Sequence, residues 1–297
     1  MKRRYRFLLA FSIILSIAAY VILIHVLPYA IIQPPRINSV NYLDEEKFNY
    51  EKVNVVSFDS VILKGYYVPS KLNNSKASII LVHGIGGCKD HFTSLAIKLS
   101  KQGYDCWLFD NRAHGESGGL YTTYGYHEKR DIKEIVDRIK GNNVNTKIGI
   151  WGNSLGAAIS LQALEYDTRI NFGIIESSFA NMKQIVYDYQ KRMFFGIPLK
   201  FACNIALNEA GDIARFKPNK VSPLQSAKQI KQPILICHGD EDKNIDVAYG
   251  KAIFDNLKST DKKLIIVKGG EHFGLFSKGG NAYETKILTF LDVQSTN

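Results

Sequence analysis

Cysteine is scarce in this sequence, with four in 297 residues. That is too few for a disulfide scaffold, and Cys88 and Cys203 show no metal-ligand spacing. Cys106 and Cys237 sit inside apolar, strand-like runs and read as small buried hydrophobes, while pairing of any two stays open. Low-complexity tracts, internal repeats and sustained heptads are also missing, which excludes solenoid, propeller and coiled-coil architectures. Blocks of one charge sign are confined to the start of the chain, where Lys2, Arg3, Arg4 and Arg6 supply four charges of a net +10. The other basic residues are dispersed among acids, and no recognisable nucleic-acid module accompanies them. The excess therefore reads as a solvated basic surface with attraction for anionic lipid, and nucleic acid is not an expected partner.

The first long feature that is present is apolar. From Phe7 to Ile32 no Asp, Glu, Lys or Arg occurs. As a helix the run from Phe7 to Leu27 spans ~30 Å, enough to cross a bilayer core. Pro28 and the pair Pro34-Pro35 then end it. Ser16 and Ala18 stand in the small-x-small spacing of a signal-peptide cleavage site, but the apolar run continues through Tyr20-Val21-Ile22-Leu23-Ile24, where a signal peptide turns polar. Residues 1–32 are accordingly read as an uncleaved anchor. Positive residues before it put the N-terminus in the cytoplasm and the rest of the chain on the outer face. Secretion after cleavage is the alternative.

Residues 33–50, with Pro34, Pro35, Asn38, Asn41 and Asn49 among charges, read as a linker and strap. Residues 51–297 then hold the folded domain. Val53–Phe58 and Ile62–Pro69, separated by Asp59-Ser60, suggest an antiparallel hairpin. After Asn73-Asn74-Ser75 the pattern changes. Apolar runs at 78–82, 104–109, 148–151, 172–175, 234–237 and 264–267 alternate with helically spaced segments at 90–101, 130–140, 154–166, 247–258 and 282–292. This predicts an α/β fold with a mostly parallel sheet and helices on both faces. Between Ile175 and Ile234 the rhythm breaks. A structureless loop of that length is improbable, so about 178–230 is read as an inserted helical cap. Its apolar residues, among them Met182, Ile185, Met193, Phe194, Phe195 and Phe201, either pack the cap onto the domain or line an acyl pocket.

Two segments match Gly-x-Ser-x-Gly, in which a sharp strand-to-helix turn holds a serine hydroxyl out at the top of a sheet. In Gly152-Asn153-Ser154-Leu155-Gly156 the serine follows a strand and precedes Ala157, Ala158 and Leu161. In Gly115-Glu116-Ser117-Gly118-Gly119 no strand immediately precedes it, and Gly119, Thr122 and Gly125 disfavour a helix. Context selects Ser154. A serine nucleophile needs a base, and the base an orienting acid. His272, in a Gly-rich loop after the last strand, is the candidate base, since ligand and catalytic groups collect at the carboxyl edge of open α/β sheets. His25 lies in the anchor, and His91 and His127 adjoin helices and read as surface residues. For the acid, Asp240, Glu241, Asp242 and Asp246 all follow one strand, and spacing alone does not choose among them. His83-Gly84-Ile85-Gly86-Gly87 follows the strand at 79–82, making the N–H groups of Ile85 and Leu155 candidate oxyanion donors.

The ordered set His83-Gly84-Ile85-Gly86-Gly87, Asp110-Asn111-Arg112-Ala113-His114-Gly115-Glu116-Ser117, Gly152–Gly156, His238-Gly239-Asp240-Glu241-Asp242 and Glu271-His272 resembles α/β-hydrolases. It is most similar to the membrane-anchored Bem46/ABHD-type serine hydrolases, over about residues 50 to 292. The resemblance implies the α/β-hydrolase fold and a triad of Ser154, Asp242 and His272. It gives Ser117 a structural role, and Ala113 stands where the family turn has glycine. Ser222-Pro223-Leu224 fits the family's return from cap to core. The expected activity is hydrolysis of a carboxylic ester or thioester, of lipid or acyl type, through an acyl-enzyme that needs no metal or organic cofactor. A peptidase or amidase with the same triad, and a catalytically silent hydrolase-fold binding protein, are the rival readings.

Overall fold

The continuous apolar runs become the centre of one eight-stranded sheet. In the computed structural model, which describes residues 2–296, the chain opens with helices α1 (Lys2–His25), α2 (Leu27–Ile32) and the single turn α3 (Tyr42–Glu45). There follow β1 (Glu51–Val56), β2 (Ile62–Val68), β3 (Ser78–Val82), α4 (Thr93–Lys101), β4 (Asp105–Phe109), α5 (Glu128–Asn142), β5 (Ile148–Asn153), α6 (Leu155–Tyr166) and β6 (Phe172–Glu176). Three helices, α7 (Met182–Met193), α8 (Lys200–Ile213) and α9 (Pro223–Ala227), precede β7 (Ile234–Gly239), α10 (Val247–Asn256), β8 (Lys262–Val267) and α11 (Leu275–Thr296). The expected helix at 282–292 thus begins earlier, with Gly280 at φ 54° kinking it. The glycine pair 279–280 hid the first turns from the periodicity.

The strand order is β1-β2-β4-β3-β5-β6-β7-β8. β1 and β2 form the antiparallel hairpin, β2 runs antiparallel to β4, and the rest of the sheet is parallel. β3, β6 and β7 are buried along their whole length, as their unbroken apolar sequences require, whereas edge strand β1 alternates exposed and buried positions. On one face α5 applies Ile132, Ile135, Val136 and Ile139, an i, i+3, i+4, i+7 stripe, beside α6 and α10. On the other, α4 and α11 pack Ala96, Leu99, Ile287 and Phe290 against Trp151 and Phe172. Burying each large side chain contributes ~1.5–3 kcal/mol.

After β3 the chain moves outward to β4, then returns to place β5 on the other side of β3. The carboxyl ends of β3 and β5 therefore border the crevice where the winding reverses. There the backbones nearly touch. A Cβ on Gly152 would stand 2.2 Å from the Gly156 carbonyl oxygen, and one on Gly156 would stand 1.9 Å from that of Val82.

The N-terminal segment divides where its sequence looked continuous. α1 is exposed over most of its length and is long and apolar enough to cross a membrane. α2 is a separate helix with Pro28 in its first turn, a position where the missing N–H is no loss. Its Pro28 and Ile32 are buried, the Ile32 carbonyl accepts the Thr122 N–H at 2.8 Å, and the Ile31 carbonyl accepts the Tyr124 hydroxyl at 2.7 Å. Four residues later Arg36 donates to the carbonyls of His114, Gly115, Ser117 and Gly119 at 2.5–3.3 Å. The start of the strap is thus fastened to the domain.

Replacing Gly156 by alanine forces backbone rather than side chains to move. Urea unfolding is expected to show a loss exceeding the ~1–3 kcal/mol of ordinary overpacking, or no soluble protein.

Candidate active site

Ser154 occupies the N-cap of α6 with φ 53° and ψ −118°, a conformation that turns its side chain away from the helix it begins. Its N–H is held by the Glu176 carbonyl at 2.9 Å. Its Oγ lies 2.9 Å from His272 Nε2, and His272 Nδ1 lies 2.8 Å from Asp242 Oδ2. An ionised carboxylate only accepts, so Nδ1 carries the proton and Nε2 is free to accept from the serine hydroxyl.

The structure separates the four acids that spacing left equal. Asp242 Oδ1 accepts the N–H groups of Asn244 and Ile245, each at 2.8 Å, which leaves Oδ2 for His272. Asp240 instead accepts from Gly269 N at 2.6 Å, tying down the histidine loop, and Asp246 caps α10 through Ala248 N at 2.8 Å. Glu241 is exposed. A second histidine joins Asp242. His238 Nε2 donates to the Ile245 carbonyl at 2.9 Å and sits 3.4 Å from Asp242 Oδ2. Burial pushes the Asp242 carboxyl up, but hydrogen bonds from His238, His272 and Ile245 outweigh it and hold the group well below the ordinary carboxylate range.

The turn after β3 is fixed from behind. His83 Nε2 accepts the Asn111 N–H at 2.9 Å, and Asn111 Nδ2 donates to the His83 carbonyl at 2.9 Å. Burial pulls His83 down to about 3, so the ring is the neutral acceptor this bond needs. Lys89 and Asp110, both buried, pair at 2.8 Å, and Asp110 also accepts the Lys89 N–H at 2.7 Å. A Cβ at Gly84 would lie 3.2 Å from Ser154 Cβ, which measures how closely this turn passes the serine. Ile85 and Leu155 both border the cavity that contains Ser154. Among the described residues neither of their N–H groups donates to a protein acceptor, and Leu155, first in its helix, has no carbonyl behind it.

Ser117 is fully occupied elsewhere, donating to the Asp110 carbonyl at 2.7 Å and accepting from Lys64 N at 2.8 Å. Ala113 in the same turn has φ 64°, the region glycine enters freely and alanine enters at ~1–2 kcal/mol. His127 departs from the surface position expected of it. It is half-buried against Phe58 and Tyr126, with Nε2 3.0 Å from the Arg215 carbonyl.

The cavity at Ser154 measures about 320 Å³ and is almost wholly apolar, walled by Ile85, Leu155, Ile185, Tyr189, Met193 and Phe194 and, from α2, by Leu27 and Ile31. Some cap residues therefore face the cavity, whereas Met182 is buried and Phe195 and Phe201 do not line it. A second cavity of about 380 Å³ borders His272 and includes Trp151, Asn153 and Glu176. Glu176 escaped the sequence reading although it is the acid that ends an otherwise apolar strand. Burial pushes its carboxyl up to about 7, and Tyr283 donates to it at 2.6 Å.

A carboxyl raised on folding retains its proton in the folded state where the unfolded chain has lost it. Glu176 thus supports stability at pH 4 and loses that contribution as pH rises through about 7. Glu176→Gln is expected to flatten the fall in Tm between pH 5 and pH 8, and an unchanged slope refutes the assignment.

A family model described as alpha/beta hydrolase fold matches residues 77–209, and one described as serine aminopeptidase S33 matches residues 222–278. The protein YqkD of Bacillus subtilis is 28% identical over 237 residues, covering 77% of this chain and 75% of its own. Lysophosphatidylserine lipase ABHD12 of Macaca fascicularis is 27% identical over 197 residues, covering 62% of this chain and 46% of its own. Among solved structures, the Pyrococcus furiosus esterase Pf2001 superposes with a TM-score of 0.73 at 24% identity, over 89% of this chain and 98% of its own. With the reversed winding at β3 and β5 and the serine elbow between them, these matches show that the chain has the α/β-hydrolase fold.

Proposed function

We propose that this protein is a serine hydrolase that cleaves carboxylic esters or thioesters of lipid or acyl type through an acyl-enzyme. The observation that carries the reading is the unbroken relay from Asp242 through His272 to Ser154, at 2.8 and 2.9 Å, ending on an apolar cavity. In this mechanism Ser154 Oγ bonds to the carbonyl carbon as its proton passes to His272 Nε2. The Ile85 and Leu155 N–H groups face the developing oxyanion. Collapse breaks the bond to the leaving alcohol or thiol, which takes the proton back from His272. A water molecule then repeats the sequence on the acyl-serine, releasing the acid and restoring the hydroxyl. Asp242 keeps its charge throughout and stabilises the imidazolium that forms twice per turnover.

The names of similar proteins, a lysophosphatidylserine lipase and an esterase, support ester chemistry. α1 supports a membrane site of action, with the basic N-terminus cytoplasmic and the hydrolase domain outside. The serine aminopeptidase model over 222–278 favours amide cleavage as the second reading.

With full-length protein in detergent micelles, Ser154→Ala is expected to lower kcat/KM for a medium-chain p-nitrophenyl ester by at least ~10³-fold and to abolish fluorophosphonate labelling. Asp242→Asn should lose ~10³–10⁴-fold with its circular dichroism unchanged. Wild-type turnover by Ser154→Ala refutes the mechanism, and faster cleavage of peptide amides than of matched esters replaces it with the aminopeptidase reading.

A further inference from the structure

The turn between α7 and α8 carries large apolar side chains that nothing in the domain covers. Met193 is 73% exposed, Phe195 99%, Ile197 59% and Phe201 80%. Scattered exposed hydrophobes need no explanation, but four within nine residues of one turn form a patch of the kind that marks an interaction site.

Three further observations say what covers it. First, α8 packs against both α2 and α1, so the patch stands beside the helix suited to cross a membrane. The last turn of α1 is partly covered at Leu23 and Ile24. Second, the sequence runs Lys191-Arg192-Met193-Phe194-Phe195-Gly196-Ile197-Pro198-Leu199-Lys200-Phe201, with no acid between Asp188 and Glu209. Basic residues flanking an apolar tip suit an interface of lipid phosphates over acyl chains. Third, Met193, Phe194 and Leu199 of the same turn line the cavity at Ser154, opposite Leu27 and Ile31 of α2. One short segment thus presents some side chains outward and others to the nucleophile.

We propose that the tip Met193–Phe201 docks into the lipid leaflet that α1 enters, so that acyl substrate passes between tip and α2 to Ser154 without crossing bulk water. This rests on α1 being a membrane anchor and on the acyl-ester reading above. The last residue of α1 and the first of α2 are separated by Val26 alone, which leaves little slack to lift the cavity away from the bilayer.

The test uses full-length protein in phosphatidylcholine–phosphatidylglycerol vesicles. All four native cysteines are buried, so Phe195→Cys takes a polarity-sensitive label selectively, with exposed Val144→Cys, just before the amino end of β5, as reference. The label at 195 is expected to shift to the blue and to be quenched by brominated lipid, and the label at 144 to do neither. Quenching at 195 by aqueous iodide alone overturns the proposal, as does concentration-dependent self-quenching without bromolipid quenching, which means that a second copy covers the patch. In parallel, the double variant Phe195→Asp, Phe201→Asp should hydrolyse a vesicle-embedded long-chain ester about tenfold more slowly while leaving a short soluble ester unaffected. Equal loss on both substrates, or on neither, overturns the route. Bromolipid quenching of the label at 195, together with a wild type that hydrolyses no ester, upholds docking and refutes the hydrolytic reading.

Discussion

The approach of three backbones, at Val82, Gly152 and Gly156, is the constraint on which the molecule is organised. Strand β5 and helix α6 meet so closely that no Cβ fits between them, and β3 presses on the same point from the side. The turn joining them is correspondingly tight, and Ser154 takes it at φ 53°. Its position relative to the neighbouring turn follows, since residues 83–87 leave the adjacent strand at the same level. Candidate nucleophile and candidate oxyanion donors are thus set by main-chain packing rather than by rotamers, the kind of preorganisation that needs no rearrangement during reaction.

Several buried polar groups beneath this point are matched pairwise. His83, held neutral by burial, accepts from Asn111, and Lys89 neutralises Asp110. Arg112 is buried with Asp131 at 2.6 Å and reaches Asp59 at 2.9 Å. Together these pairs join the turn after β3, the turn after β4 and helix α5 into one support. On the other flank Asp242 collects two backbone N–H groups and two imidazoles, so its charge has partners in every direction.

What the sequence made legible were features encoded locally. Continuous apolar runs mark central parallel strands because both faces of such strands are covered. Glycines two places either side of Ser154, after a strand and before a helix, mark the elbow because the contact forbids any other residue. The choice of Asp242 over Asp240, Glu241 and Asp246 came from resemblance alone. All four follow β7, and only the loop's three-dimensional path decides which carboxylate meets a histidine thirty residues later. Leu27–Ile32 were invisible as a cavity wall because their composition continues that of α1. Only the tertiary bonds of Ile31 and Ile32 reveal that they belong to the domain. Glu176 meets Tyr283 of the last helix, a relation that a linear pattern does not carry, while His238 turns back onto the loop that follows its own strand.

The N-cap of α6 has one more implication. A serine there ordinarily turns its oxygen onto the second or third N–H of the helix, worth ~0.5–2 kcal/mol. Ser154 makes no such bond and directs its hydroxyl to His272. The helix therefore forgoes its cap, and the fold would lose little if this side chain were absent. On the proposed mechanism, selection for folding and selection for reactivity are uncoupled at this residue. A lineage that lost the hydroxyl would keep an intact protein with an apolar cavity, one substitution away from an enzyme.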